Sequence, residues 1–145
     1  MSEWVNVGAP KDKLVMTLPF FGLSWTLVNE KQNGVNDPTK GRGIAGPFLS
    51  EPGKLGYNEM AVAFKNDSSG WVITTYGNNS WQYATKGDQW VSYETPATCE
   101  TKAKWVARNG FAGVAVMAVN NDDFNALASP MRHPLLTAVN KGLHS

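Results

Sequence analysis

Two apolar runs of unequal length, lying far apart in the chain, constrain the fold more than any other feature. The first, Lys13 to Leu27, reads KLVMTLPFFGLSWTL, and the second, Phe111 to Val119, reads FAGVAVMAV. Both are rich in β-branched or aromatic residues, and Pro19 and Gly22 interrupt any helical continuation of the first. Each therefore reads as a buried strand. Hydrophobicity that is continuous rather than alternating points to strands covered on both faces, as in a parallel sheet. Parallel neighbours need a crossover, and a helix signal stands directly before the second run. Thr95-Pro96 opens it and Asn109-Gly110 closes it just past Arg108, with Pro in the first turn and Gly beyond the end. A closing helix is expected over Pro134 to Leu143. The order strand, inserted segment, helix, strand, helix is a βαβ unit carrying a decoration, and it predicts a parallel α/β architecture.

The decoration has a character of its own. Val28 to Gly53 is rich in Asn, Gly, Pro, Lys and Thr without periodicity, and reads as an excursion over a surface rather than a core element. A short helix is expected over Leu55 to Lys65. Short antiparallel strands are expected over Gly70–Tyr76, Ser80–Thr85 and Gln89–Glu94, with turns at Asn78-Asn79 and Lys86-Gly87-Asp88. Trp4 to Asp12, with Gly8-Ala9-Pro10, reads as a helix end and a loop. A chain of 145 residues can supply one modest core and a small second lobe.

Charge and cysteine content exclude several functions. Thirteen Lys and Arg face 12 Asp and Glu, which leaves no basic stripe to track phosphates, so neither nucleic acid nor a membrane surface is expected as a partner. No apolar run approaches the roughly 20 residues that cross a bilayer, and the opening Met1-Ser2-Glu3-Trp4 does not read as a secretion signal. Cys99 is the single cysteine, read as an inert thiol. His133 and His144 lack metal-ligand neighbours, so neither a metal nor another cofactor is expected. The triplets beginning at Asn66 and Asn78 would accept N-glycans in a secretory setting.

Specific motifs point further. KLVMTLPFFGLSWTL resembles the seventh barrel strand of family 18 glycoside hydrolases, the chitinases and chitinase-like proteins, where K-L-x-x-G-x-P-x-Y-G-R-S-F-T-L is common. Gly34-Val35, Ile44 to Phe48 and Lys54 to Glu59 resemble successive landmarks of the α+β insertion domain in that family. Gln89 to Glu94 resembles its Q-W-V-G-Y-D, Gly113 to Val119 its eighth strand, and Asn120 to Phe124 its D-L-D-D-F. Pro134-Leu135-Leu136 resembles the start of the final helix, so the resemblance covers almost the whole chain. It implies the last two strands and helices of a (β/α)8, or TIM, barrel with an α+β insertion domain. Residues 1–27 and 96–145 would be barrel segments and 28–95 the insertion. Such a piece, alone, would leave open strand edges and an apolar inner face.

The resemblance also implies a chemistry. In this family a glutamic acid in a D-x-x-D-x-D-x-E motif protonates the glycosidic oxygen while the substrate's N-acetyl group attacks, an exception to two-carboxylate retention. No match to that motif occurs in the 145 residues, so the chain by itself is expected not to hydrolyse chitin. At the implied sugar-contacting positions Phe21 stands for the usual Tyr, Leu23 for the usual Arg, and Met117 for the tryptophan beneath the cleaved sugar. Loss of the guanidinium removes a fixed charge, and a thioether offers no flat face for a pyranose. Glu51 and Lys54 match the insertion-domain rim, and Tyr57 and Glu59 positions near the cleft wall.

Plainer roles stand beside these. Phe20, Phe21 and Trp25 suit a barrel core as well as sugar contact, Met117 suits a core, and Glu51 and Lys54 suit an exposed charged loop. Tyr57 suits packing on a sheet and Glu59 a structural ion pair. Trp71, Trp81 and Trp90 suit a stacking stripe or the core of a small lobe. Asp122 and Asp123 follow a strand and are read as caps of the next helix or turn rather than as an acid–base pair. The functional expectation is a chitinase-like protein that binds chitin or N-acetylglucosamine oligomers in an extracellular setting. A fragment of an active chitinase and a stand-alone glycan- or protein-interaction module are the alternatives.

Overall fold

The computed structural model of the chain describes residues 1–66 and 70–145. The acceptor triplet that begins at Asn66 runs into residues 67–69 and lies outside the described residues. In chain order the elements are α1 (Ser2–Asn6), β1 (Val15–Pro19), β2 (Phe21–Leu27), β3 (Thr39–Arg42), β4 (Lys54–Gly56), α2 (Tyr57–Asn66), β5 (Val72–Tyr76), β6 (Trp81–Lys86), β7 (Gln89–Tyr93), α3 (Pro96–Arg108), β8 (Gly113–Met117) and α4 (Pro134–Leu143).

The two apolar runs meet. β1 and β8 pair in parallel, from Val15 opposite Gly113 to Pro19 opposite Met117. Alternation then splits their side chains. Met16, Leu18, Val114 and Val116 pack with Phe20 onto Cys99 and Ala103 of α3 and Leu135, Ala138 and Val139 of α4. Each large side chain fully buried there contributes about 1.5–3 kcal/mol. α3 starts where Thr95 and Thr98 cap each other reciprocally around Pro96, and it ends before Gly110, whose φ is +70°. Close approach of α3 and α4 depends on Gly142, since a Cβ there would lie 2.6 Å from the Glu100 carbonyl and 2.7 Å from the Ala103 methyl.

The opposite side of the β1–β8 pair lacks the cover that continuous hydrophobicity suggested and presents instead the open apolar face expected of such a piece alone. Val15 and Met117 are 52% and 53% exposed, so continuous hydrophobicity records an apolar second face that no described residue covers.

A second correction concerns the first run, which changes sheets at Phe20, ahead of the expected break after Leu27. β2 joins a six-stranded sheet of order β3-β2-β7-β6-β5, with β4 also paired to β2. Phe20 stitches the two layers: its N–H donates to the Met117 carbonyl at 2.7 Å, and its own carbonyl accepts from Tyr57 N–H at 3.0 Å. β3 is a third correction, a strand inside the stretch read as an excursion; all four of its residues are exposed, so it carries no hydrophobic period to find.

Within the larger sheet, α2 covers one face through Met60 and Phe64, against Ala84, Val91, Tyr93 and Trp71. Gly22 lets β2 pass beneath it, because a Cβ there would meet Val91 at 2.7 Å and the Met60 sulfur at 2.8 Å. The other face carries a ribbon of rings. Trp25 lies edge-on to Trp90 at 5.5 Å, Trp90 stacks on Tyr83 at 5.0 Å, and Trp81 and Tyr76 extend the row.

Candidate functional site

Period-two alternation along β2 sends Phe21, Leu23 and Trp25 to the face that α2 leaves open. The antiparallel register with β4 places Lys54 opposite Leu23. From there the Lys54 ammonium reaches a point 4.6 Å from the centre of the Phe21 ring and 3.7 Å from the Glu51 carboxylate. Phe21, Leu23, Glu51 and Lys54 are thereby brought together.

Two hollows flank this group and share Leu23 and Trp25. One, of about 260 Å³, is lined by Pro19, Phe21, Trp81 and Glu94 among others. The second, of about 230 Å³, is lined by Arg42, Glu51 and Lys54. Together they form a concave strip of aromatic and aliphatic faces edged by two cations and two carboxylates. Glu94 is held by the Lys102 ammonium and by the Thr98 hydroxyl, which donates at 2.5 Å.

Met117 stands at the end of β8 beside Pro19, at the junction of the strip with the exposed side of the β1–β8 pair. The Met117–Ala118 peptide bond is cis. Tyr57 goes elsewhere: it opens α2 and packs against both cores. Its phenol is pushed up to about 12, by burial first and then by the Asp122 and Asp123 carboxylates and the Cys99 thiol.

The three buried carboxylates, Glu59, Asp122 and Asp123, are engaged. Glu59 accepts from the backbone N–H groups of Phe48 at 2.6 Å, Leu49 at 3.0 Å and Gly56 at 2.6 Å, so its structural role, one of the two readings open to it, is to anchor a loop through backbone donors rather than through an ion pair. Asp122 accepts from Leu135 at 3.2 Å and Leu136 at 3.0 Å and caps α4 from across the chain. Asp123 accepts from Leu127, Ala128 and Ser129 at 2.8–2.9 Å. Both act as the caps expected of them. Burial alone would raise the Asp123 carboxyl, but those three donors outweigh it and hold the group below the usual carboxylate range. Among the described residues no group of three or more His, Cys, Asp or Glu side chains is arranged to hold a metal ion.

Trp71 packs on Phe64 in the core under α2, whereas Trp81 and Trp90 lie in the ribbon on the open face. The tryptophan stripe is thus divided by the pleat. Sequence reasoning missed Arg42 and Glu94 as lining groups. Arg42 lies in a stretch without periodicity, while Glu94 ends the Gln89–Glu94 motif and was legible there.

The comparisons fall on this geometry. The model of the family described as glycosyl hydrolases family 18 matches residues 1–122. "Probable chitinase 10" of Drosophila melanogaster is 36% identical over 99% of this chain and 6% of its own length. Among solved structures, the Group IV chitinase of Ostrinia furnacalis superposes with a TM-score of 0.94 at 31% identity, over 99% of this chain and 38% of that one. Human YKL-39, described as a pseudo-chitinase with retained chitooligosaccharide binding properties, superposes with a TM-score of 0.90 at 32% identity, again over 99% and 38%. The chain therefore spans well under half the length of these relatives.

Proposed function

Because the chain belongs to glycosyl hydrolase family 18, we propose that it forms part of a chitooligosaccharide-binding cleft and contributes binding surface rather than the catalytic acid. In this reading residues 1–20 and 96–145 are barrel segments, β1 and β8 are neighbouring staves, and the six-stranded sheet with α2 is the insertion domain that walls the cleft. The exposed side of β1 and β8 is the barrel interior.

The grouping of Phe21, Leu23, Lys54 and Glu51 on one open face carries the proposal. Pyranose rings have apolar C–H faces and a polar rim, and the strip offers rings beside an ammonium, a guanidinium and two carboxylates. Its chemistry favours holding sugar over cleaving it. A general acid needs a carboxyl free to come within hydrogen-bond reach of the glycosidic oxygen. Here Glu51 is paired with Lys54, Glu94 with Lys102, and the buried Glu59, Asp122 and Asp123 are saturated by backbone donors. With no D-x-x-D-x-D-x-E in these 145 residues, binding without hydrolysis is the function assigned to them. The retained chitooligosaccharide binding of the YKL-39 pseudo-chitinase supports the same separation. An extracellular setting is part of the proposal, and the Asn78 acceptor on the exposed β5–β6 turn is accessible to it.

Titration of the folded chain with N-acetylglucosamine tetramer, followed by tryptophan fluorescence, tests this. A saturable change with no sugar released is expected. No change in a cooperatively folded sample overturns the binding reading, and release of shorter sugars restores the active-chitinase alternative.

A further inference from the structure

A third hollow, of about 370 Å³, shares no lining residue with the two on the open face. It lies where the segment after β8 meets the start of α2 and the loop before β4. Asn58, Asn120, Asn121 and Asn125 line it together with Phe48 and Phe124. Asn58 and Asn121 are only 7% and 6% exposed, whereas Phe48 and Phe124 are 56% and 40% exposed. Two of the four amides are sunk into the hollow, those of Asn120 and Asn125 are exposed at its rim, and the phenyl groups stand open around it.

Those amides have hydrogen-bonding capacity to spare. Asn58 Nδ2 reaches the Asn120 carbonyl only at 3.5 Å, and Asn120 Nδ2 reaches Asn121 Oδ1 only at 3.5 Å, both at the limit of a useful bond. An apolar occupant would leave the buried Asn58 amide with only its long bond to the Asn120 carbonyl, which is costly. A cation would need free carboxylate oxygens, but Asp123 at the wall already accepts from three backbone N–H groups. An anion would meet that same carboxylate. The remaining class is neutral, rich in acceptors and apolar on one face. The volume lies at the small end of ligand sites, roughly 300–1,000 Å³, and suits one ring rather than a chain.

We propose that this hollow is a second ligand site, for a single N-acetylated pyranose, free or at the end of a glycan. The ring lies against Phe124 and Phe48, and its acetamido carbonyl and hydroxyl oxygens accept from the amides of Asn58, Asn120 and Asn121. None of these residues belongs to the open face, so the site stands or falls independently of the cleft.

The test is a ¹H–¹⁵N titration of the whole chain with N-acetylglucosamine, glucose and the N-acetylglucosamine tetramer. Saturable shifts of the Asn58, Asn120 and Asn121 side-chain amides are expected with N-acetylglucosamine, and glucose should bind about tenfold more weakly for want of the acetamido group. Tetramer acting on the same amides identifies a glycan end as the ligand; monomer alone identifies the free sugar. Asn121→Leu keeps nearly the same volume without the amide, and Phe124→Ala alters only an exposed ring, so the second decides if the first fails to fold. Each should weaken binding by about tenfold while the Trp25 and Trp90 indole responses to tetramer stay unchanged. Absence of saturable amide shifts, equal response to glucose, or indifference to Phe124→Ala overturns the proposal. Loss of the indole response alone would count against the cleft and not against this site.

Discussion

The Lys54 ammonium lies 4.6 Å from the centre of the Phe21 ring, on the strand position directly opposite Leu23. One cation thus bridges an aromatic face to the Glu51 carboxylate at the place where the family resemblance would have put a guanidinium on β2. Leu23 itself carries no charge, so the cation of this face is supplied from across the strand pair, as a point charge on residue 54 rather than a planar fork.

Replacing Lys54 by Met separates its two contributions. The pairs it makes are partly exposed and screened, so urea unfolding should show a loss below about 1 kcal/mol. Affinity for N-acetylglucosamine tetramer should fall several-fold. A loss of several kcal/mol in stability with unchanged binding would assign Lys54 to the fold instead.

Met117→Trp tests whether the end of β8 belongs to the strip. The side chain is half exposed at the end of β8 and has room on its open side. A flat ring there should strengthen tetramer binding by about 1 kcal/mol, near fivefold, with little change in unfolding midpoint. Binding unchanged or weakened would remove Met117 from the strip.

Legibility followed the physics of each signal. The ends of α3 were readable because Thr95-Pro96 and Asn109-Gly110 act locally through capping and a left-handed turn. The β5–β6–β7 hairpins were readable because their turns need positive φ at Gly77, Asn78, Asn79 and Gly87. The change of sheet at Phe20 was not, since Leu18, Phe20 and Leu27 are equally buried in whichever layer they serve. Nor was the parting of Trp71 from Trp81 and Trp90, which depends on where β5 begins and not on composition. Phe21, Leu23, Glu51 and Lys54 were legible only through the motif, because the β2–β4 register joins residues that lie far apart in sequence. The amide-lined hollow had no local signature, as its walls come from three separate segments.

Cys99 makes a reporter of the core between α3, α4 and β1. Burial is the main influence raising its thiol, with the Glu94 and Asp122 carboxylates adding to the effect and the Lys102 ammonium opposing it. A thiol held protonated and out of solvent is a poor nucleophile. Alkylation at neutral pH should therefore be undetectable in native buffer and should rise with denaturant in step with unfolding. Fast labelling of the folded chain would show that this core opens independently.

Asp123 should make stability depend on acid in a defined direction. Its folded carboxyl titrates below the ordinary value of about 3.9 because Leu127, Ala128 and Ser129 donate to the ionised form more effectively than burial opposes it. The unfolded chain therefore takes up this proton first as pH falls. The stabilisation is full above the unfolded value and disappears as pH drops through the folded one. Asp123→Asn keeps the shape but not the charge, so its deficit against the native chain should be largest at about pH 5–7 and shrink towards pH 2, in urea midpoints measured across that range. A deficit that does not vary with pH would mean that the shape of the side chain, and not its charge, secures the segment between β8 and α4.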